Sequence, residues 1–233
     1  MSALDFLSPS ELEALRLTLR VATWNLVIGL PLAVAVAWLL ARCRFPGKEL
    51  LNALVHLPLI MPPVVTGYIL LILFGRRGPL GELLESWFGV VVAFRWTGAV
   101  IAATVMAFPL MVRPIRLSIE AIDRRLEAAA GTLGASPLAV FATVTLSLAL
   151  PGIVAGGILG FAKGMGEFGA TITFVSNIPR ETRTLALAIY TLTQVPGGEL
   201  GAIRLTLIAV AVSLAALLAA ELLGRYLARR IAA

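Results

Sequence analysis

Residues 21–41 read VATWNLVIGLPLAVAVAWLLA, an uncharged run that decides the fold class of this chain. A helix needs about 20 apolar residues to cross a bilayer, and this run has that length. Of all residues 59% are hydrophobic and 14% are charged, whereas a soluble domain carries about 25% charged residues. We therefore predict an all-α membrane protein with about five transmembrane helices. The run 21–41 is the first, and the other four are predicted over residues 50–75, 96–118, 138–162 and 201–223.

Local signals refine these boundaries. Pro62 and Pro63, with Pro58 before them, predict a kinked or locally broken helix in the run 50–75. The apolar run 184–195 has a length that favours a re-entrant or buried helix, with a sixth span as the alternative. The sequence from Ser10 to Glu13 fits a capping box and predicts a helix that starts at Ser10.

The charged and reactive residues exclude several function classes. The net charge is +6, but the basic residues stand at the ends of apolar runs, so we expect no nucleic-acid partner. Gly47-Lys48 lacks the flanking residues of a phosphate-binding loop, so the chain alone is not expected to hydrolyse ATP. A single cysteine, Cys43, forbids an intrachain disulfide. We identify no catalytic residues, no metal ligands and no cofactor site.

Charge asymmetry predicts the orientation. The basic loop 42–48 and the C-terminal tail contain almost no acidic residues, which favours the cytoplasmic side for both. The tail carries Arg225, Arg229 and Arg230. With five spans the N-terminus is then periplasmic and the C-terminus cytoplasmic. We predict one membrane domain over residues 1–233, with a core of about 11–223.

Residues 119–134 predict a short amphipathic helix between two spans, because apolar residues recur at helical spacing opposite a charged face. Gly134 is expected to end it, and Ser136-Pro137 to start the next helix. Two interpretations stay open: a helix lying on the lipid headgroups, or a docking helix for a soluble partner.

A stripe of four glycines runs along the predicted fourth span. Small residues at every fourth position let another helix approach closely in lipid. The stripe therefore predicts helix packing and says nothing about a substrate. Its members are Gly152, Gly156, Gly160 and Gly164.

Two motifs resemble a known family. EAAAGTLGA at 127–135, followed by VTL at 144–146, resembles the EAA loop of binding-protein-dependent ABC importer permeases. GEFGATITFVSNIP at 166–179 resembles the oxyanion permeases among them, and favours the molybdate permeases over those for sulfate. Two positions differ from the family pattern: Ala128 stands where the pattern has Glu, and Ser147 where it has Pro.

The resemblance implies a type I ABC importer permease in the plasma membrane. Two copies of the chain would line one pathway, two ABC ATPase subunits would bind on the cytoplasmic side and use ATP, and a periplasmic molybdate-binding protein would deliver the anion. The EAA loop, about 119–137, would be the coupling element between permease and ATPase. Its predicted contact residues are Asp123, Arg124, Glu127, Ala128, Gly134 and Ala135. The gate or pathway residues implied are Gly166, Glu167, Phe168, Gly169 and Thr171.

Several expectations remain alongside this interpretation. The substrate alternatives are tungstate, sulfate and thiosulfate, and the alternative class is a non-transporting scaffold or a channel. Arg180 and Arg183 are expected on the outer side, near the mouth that the anion uses. Glu167 stands near a predicted membrane edge, where solvation of a helix end is the simplest interpretation. Glu127 is expected in an exposed ion pair, so that Glu127→Lys should be milder than Gly134→Val.

Overall fold

The computed structural model describes residues 8–232, with side chains described up to residue 222 except residue 220. All regular structure in this part of the chain is helical. Between α7 and α8 lies a π-helical turn, Phe141–Thr145. The α-helices are α1 Pro9–Arg42, α2 Lys48–Ile60, α3 Pro63–Phe74, α4 Pro79–Phe88, α5 Trp96–Ala121, α6 Arg124–Thr132, α7 Pro137–Val140, α8 Leu146–Leu148, α9 Leu150–Met165, α10 Gly169–Val175, α11 Leu185–Thr193 and α12 Glu199–Ala232.

Among the described residues, α1, α5 and α12 are long and apolar enough to cross a membrane. Two bent helix pairs, α2–α3 and α7–α9, raise the number to five when each pair counts as one span. The prediction of five spans is confirmed in this sense. A sixth span at α11 is wrong, because nine residues rise only about 14 Å.

The start of α1 differs from the sequence prediction. Ser8, not Ser10, is the N-cap: its hydroxyl accepts from the Glu11 amide, and the Glu11 carboxylate accepts from the Ser8 amide at 2.7 Å. Both serines have a glutamate three residues later, so the capping box alone does not choose between them. Pro9 decides, because proline is favoured at the first helical position, where its missing N–H has no cost.

The predicted break in 50–75 is confirmed. Helices α2 and α3 meet at 117° around Met61 and Pro62, so this segment turns back on itself instead of crossing straight. The segment 138–162 also bends, by 69° at Ala149, although we predicted one continuous span there. Pro151 explains the second bend, since it stands in the first turn of α9 and donates no backbone hydrogen bond.

Three helices form the centre of the subunit. Arg20 of α1 lies over the Trp96 ring at the start of α5, and Arg42 bonds the Ile122 carbonyl after its end, so α1 and α5 run parallel. Helix α9 packs along both and runs antiparallel to them, since Gly152 lies at Ser118 of α5 and Gly164 lies at Asn25 of α1. The two ends of this bundle are the Pro9 end and the Arg42 end, after the first and last residues of α1.

Helix α10 packs on α3 and on the first half of α5, where it buries Phe174 and Val175. Helix α11 packs on α12 and on the start of α1 at the Pro9 end. These contacts place the segment 166–193 between the middle of the bundle and the Pro9 end.

Candidate coupling loop and membrane pathway

The predicted amphipathic helix is shorter than expected and lies at the Arg42 end. Ile119 and Ile122 belong to the buried core around α5, and α6 begins only at Arg124. Asp123 makes the break, because its carboxylate accepts from the Arg125 amide and caps α6. The prediction of one helix over 119–134 is therefore wrong at its first turn, where the apolar spacing continues α5.

Gly134 ends this segment in a left-handed backbone conformation, with φ of +90°. The Gly134 amide donates to the Gly131 carbonyl and the Ala135 amide to the Ala130 carbonyl, which satisfies carbonyls of the last turn. Ser136 then caps the next helix by accepting from the Ala139 amide. The connection between α6 and α7 is thus a tight turn with capped helices on both sides.

The outer surface of this loop is open. No described residue of α6 is buried, and Leu126 on α6 is half exposed. Leu133 is 88% exposed directly after α6, and Leu138 is 76% exposed in α7. Apolar side chains that project from the end of a bundle favour contact with another protein. Arg124 and Ala128 lie on the same exposed helix.

Glu127 points inward instead. Its carboxylate pairs with the Arg42 guanidinium at 3.2 Å and accepts from the Thr145 hydroxyl at 2.7 Å. The Arg42 and Glu127 side chains are only 10% and 19% exposed, and Arg42 also donates to the Ile122 carbonyl. The expectation of an exposed ion pair is wrong, and the reason given for a milder effect of Glu127→Lys fails with it, because the lysine would set two cations together.

Sequence reasoning missed Arg42 and Thr145 as members of this network. They lie 85 and 18 residues from Glu127. Thr145 belongs to the Val-Thr-Leu part of the family motif, which was its only signal. Arg42 carried no signal beyond its place in a basic loop. Together the two residues connect α6 to the end of α1 and to the π-helical turn.

The glycine stripe lies buried between α9 and the two long helices. Gly152 faces Ser118 and the Pro114 carbonyl, and Gly156 and Gly160 face Met111, all three on α5. Gly164 faces Asn25 of α1. A methyl group on Gly156 would come within 2.8 Å of the Met111 carbonyl oxygen, so the helices approach too closely for a side chain there.

The gate segment, residues 166–169 with Thr171, lies beyond the C-terminal end of α9. Glu167 is buried: one carboxylate oxygen pairs with the Lys163 ammonium at 2.8 Å, and the other accepts from the Ala170 amide at 2.9 Å. Solvation at a membrane edge is therefore the wrong description of Glu167. The partner was readable from the sequence, since Lys163 stands one helical turn earlier.

The rest of the gate segment joins three helices. Phe168 packs on the Tyr190 ring of α11 at 5.2 Å between centroids. Gly169 lies so close to Pro63 of α3 that an added methyl group would be 2.7 Å from it. Thr171 is buried on α10. Gly166 is exposed at the end of α9. The segment therefore connects α9 to α3 and α11.

Arg180 and Arg183 lie at the Pro9 end, opposite the coupling loop. Arg180 is 84% exposed and approaches Glu13 at 3.7 Å. Arg183 donates to the Asn177 side chain at 3.0 Å. Both line a cavity of about 510 Å³ between the start of α1 and the loop after α10. Among the described residues, no cluster of His, Cys, Asp and Glu has the geometry of a metal site.

Residues 29–233 match the family described as "Binding-protein-dependent transport system inner membrane component". This chain belongs to that family. Its members are inner-membrane subunits, which agrees with the apolar helices and the family motif described above.

Relatives within the family are close. The chain is 56% identical over 219 residues to the "Molybdenum transport system permease protein ModB" of Escherichia coli (strain K12), covering 94% of this chain and 96% of that protein. It is 53% identical over 221 residues to the protein of the same name from Haemophilus influenzae, covering 95% and 96%. A "Probable sulfate transport system permease protein cysT" of Zygnema circumcarinatum is 34% identical over 182 residues, covering 78% and 63%.

Solved structures share the fold. A bacterial ABC transporter involved in the import of the polysaccharide alginate superposes with a TM-score of 0.76 at 18% identity, covering 95% of this chain and 81% of that one. The MetNI methionine ABC transporter in an inward-facing conformation superposes with a TM-score of 0.68 at 18% identity, covering 97% of this chain and 99% of that one. The helical arrangement is therefore that of ABC importer permeases.

Proposed function

We propose that this chain is the transmembrane subunit of an ATP-driven importer for molybdate. Two copies would form one pathway, two ABC ATPase subunits would bind on the cytoplasmic side, and a periplasmic molybdate-binding protein would deliver the anion. The chain itself contributes no ATPase chemistry and binds no cofactor. The observation that carries this proposal is the similarity to two molybdenum transport permeases over nearly the whole of each protein.

The coupling loop is the proposed docking site for the ATPase. It combines a short capped helix, exposed leucines at its end and a rigid connection to the bundle. When ATP draws the two ATPase subunits together, each would carry its bound loop with it. The residues expected in this contact are Arg124, Ala128 and the turn at Gly134 and Ala135, while Asp123 and Glu127 hold the loop in shape.

The contacts of Glu127 support a route from the loop to the gate segment. Glu127 bonds Thr145 in the π-helical turn, and the chain continues from there through α8 into α9. The far end of α9 carries Lys163, which pairs with Glu167 of the gate segment. A displacement of α6 would thus reach α10 through one continuous segment of chain. ATP can shift the equilibrium between two conformations of the transporter only to the extent that it binds one of them more tightly.

The orientation follows from the same assignment. The coupling loop places the Arg42 end in the cytoplasm, so that Arg180 and Arg183 at the Pro9 end face the periplasm. The N-terminus is then periplasmic and the C-terminus cytoplasmic. Arg225, Arg229 and Arg230 belong to α12, but their side chains lie outside the described part of the chain.

Sulfate is the second candidate substrate, because one relative is named as a sulfate permease. Tungstate and thiosulfate remain chemical alternatives, since they are also tetrahedral dianions. The lower identity to the sulfate protein, 34% against 56%, favours molybdate.

Complementation tests this proposal. The chain is produced with its ATPase and binding protein in cells that lack their own molybdate permease. We expect restored accumulation of molybdenum at low external molybdate. The matched control is the same set of proteins with a Walker A lysine variant of the ATPase, which should restore nothing. Restored sulfate uptake without molybdenum accumulation would contradict the proposal.

A further inference from the structure

Lys163 and Glu167 form an ion pair in the middle of the bundle. Their Nζ and Oε2 atoms are 2.8 Å apart, and the two side chains are 30% and 2% exposed. Gly164, beside Lys163, packs on Asn25, which lies halfway along α1. The Asn25 side chain also donates to the Gly160 carbonyl at 2.8 Å. The pair therefore lies midway between the Pro9 end and the Arg42 end.

The surrounding sequence makes charges unusual at this depth. The run 21–41 of α1 and the run 138–162 that precedes Lys163 contain no charged residue. A charged side chain at the centre of a bilayer is costly unless it faces the protein interior or a water-filled cavity. Because part of Lys163 is accessible, we expect it to border a cavity.

Glu167 is almost fully buried, whereas Lys163 is partly accessible. One of its oxygens accepts from the Ala170 amide, and the other pairs with Lys163. An ammonium has three donors, so its ion pair with Glu167 leaves donors for another acceptor. The open side of α9 also carries Leu159, one turn before Lys163 and 45% exposed. An anion that moves along this side meets the ammonium and not the carboxylate.

We propose that Lys163 is the anion-binding residue of the transport pathway, where its ammonium contacts a tetrahedral oxyanion at mid-membrane. This inference rests on the proposed transport function and adds the residue that recognises the substrate inside the permease. When the pathway is empty, Glu167 neutralises the charge of Lys163 and avoids a lone cation in the membrane. When the anion arrives, competition from Glu167 keeps its binding weak enough for release, as transport requires.

Two double variants separate this role from a structural one. Lys163→Glu/Glu167→Lys keeps the ion pair and moves the cation, and Lys163→Gln/Glu167→Gln removes both charges without leaving a lone carboxylate. We expect both variants to reach the membrane and co-purify with the ATPase at wild-type amounts. Their molybdate uptake should fall at least tenfold. The single change Lys163→Arg should retain more uptake than either.

Cysteine labelling tests the location independently of uptake. Cys43 is the only cysteine in the sequence, so Cys43→Ser provides a cysteine-free background. In that background, Lys163→Cys with Glu167→Gln should react with a negatively charged methanethiosulfonate in the assembled complex, and molybdate should slow the reaction. Ala103→Cys is the matched control, because Ala103 is fully buried in α5 and should not react.

Each outcome decides the proposal. Uptake within twofold of wild type in the swapped or the neutral variant would overturn it, because the pair would then be structural or dispensable. An unreactive thiol in the Lys163→Cys variant, or labelling that no oxyanion slows, would also overturn it. If the wild-type complex imports no molybdate, the proposed substrate fails, and the labelling with tungstate and sulfate as protectants still decides the role of Lys163.

Discussion

Glu127 is the residue that ties the coupling helix to the bundle. One carboxylate binds Arg42 of α1 and Thr145 of the π-helical turn, so three segments meet at a single side chain. Hydrogen bonds to charged groups contribute about 1.5–3 kcal/mol each when they are shielded from water. The contacts of Glu127 with Arg42 and Thr145 therefore fix the position of α6 relative to the bundle and leave its other face exposed.

We predict that Glu127→Gln lowers the stability of the loop and the efficiency of coupling. The amide keeps one hydrogen bond but no longer pairs with Arg42, at a cost of roughly 1–3 kcal/mol. Glu120→Gln is the matched control: its pair with Arg116 is more exposed and is worth about 0–1 kcal/mol. The measurements are the thermal unfolding midpoint of the purified complex and the ATP hydrolysed per molybdate imported. Equal effects of the two variants would contradict the role given to Glu127.

Whether a contact could be predicted depends on how far apart its two residues lie in the sequence. The turn at Gly134 and the cap Ser136 act within a few residues, so the sequence reveals where the coupling helix ends and the next begins. The bond between Arg42 and Glu127 spans 85 residues, and no local pattern encodes it. Glu167 is an intermediate case, because its partner is local but its burial depends on how α9 packs.

At the scale of the element, Gly134 aims the coupling helix. Its φ of +90° lies in a region that a β-branched side chain resists, although an added Cβ would meet nothing within 4 Å. A Cβ atom at this position therefore causes backbone strain without a clash inside the subunit.

We predict that Gly134→Val leaves membrane amounts normal, weakens ATPase docking and abolishes uptake, at a strain cost of about 1–3 kcal/mol. Gly134→Asn is the control of similar size, since asparagine tolerates the left-handed region, and it should retain docking. Co-purification with the ATPase and molybdate uptake are measured together. If the Val variant docks and transports like wild type, the loop is not the coupling element.

Two neighbouring glycines of α9 test how this helix packs on α5. Gly156→Ala would push a methyl group to 2.8 Å from the Met111 carbonyl oxygen, whereas Gly157→Ala meets only Leu30 at 3.6 Å and Leu26 at 3.9 Å. We predict that Gly156→Ala destabilises the subunit by about 1–3 kcal/mol. Gly157→Ala should be neutral or stabilising by up to about 1 kcal/mol, because alanine is the better helix former. Thermal unfolding that ranks the two variants in the opposite order would refute the packing assignment.

Element boundaries were predictable where a local signal exists. The prolines at 62 and 63 mark the break between α2 and α3, but its angle of 117° depends on the packing of α3 against α10. The bend at Ala149 was missed because Pro151 is also compatible with an uninterrupted span. The first turn of the coupling helix was misassigned because Ile119 and Ile122 fit the apolar spacing of either helix.

At the scale of the whole molecule, the two ends of the bundle have different chemistry. One end carries the coupling loop with exposed Leu133, and the other carries exposed Arg180, which with Arg183 lines a cavity. The order of the spans and the family motif were available from the sequence. The assignment of the two ends to the two sides of the membrane remains a prediction.

We predict opposite accessibility for these two positions. In the cysteine-free background, Arg180→Cys should react with a membrane-impermeant thiol reagent added to whole spheroplasts. In cells that do not produce the ATPase, Leu133→Cys should react only after the membrane is opened, because it faces the cytoplasm and no docked subunit covers it. The two residues are similarly exposed, so the comparison controls for reactivity. Labelling of the Leu133→Cys variant in intact spheroplasts would invert the orientation.

Uptake by a reconstituted complex tests the central claim most directly. The chain, its ATPase and its binding protein are combined in proteoliposomes, and labelled molybdate is supplied on the side of the binding protein. We predict accumulation that requires the binding protein and ATP, and that tungstate inhibits more than sulfate. Molybdate flux without ATP would instead indicate a channel, and accumulation of sulfate with no uptake of molybdate would contradict the assigned substrate.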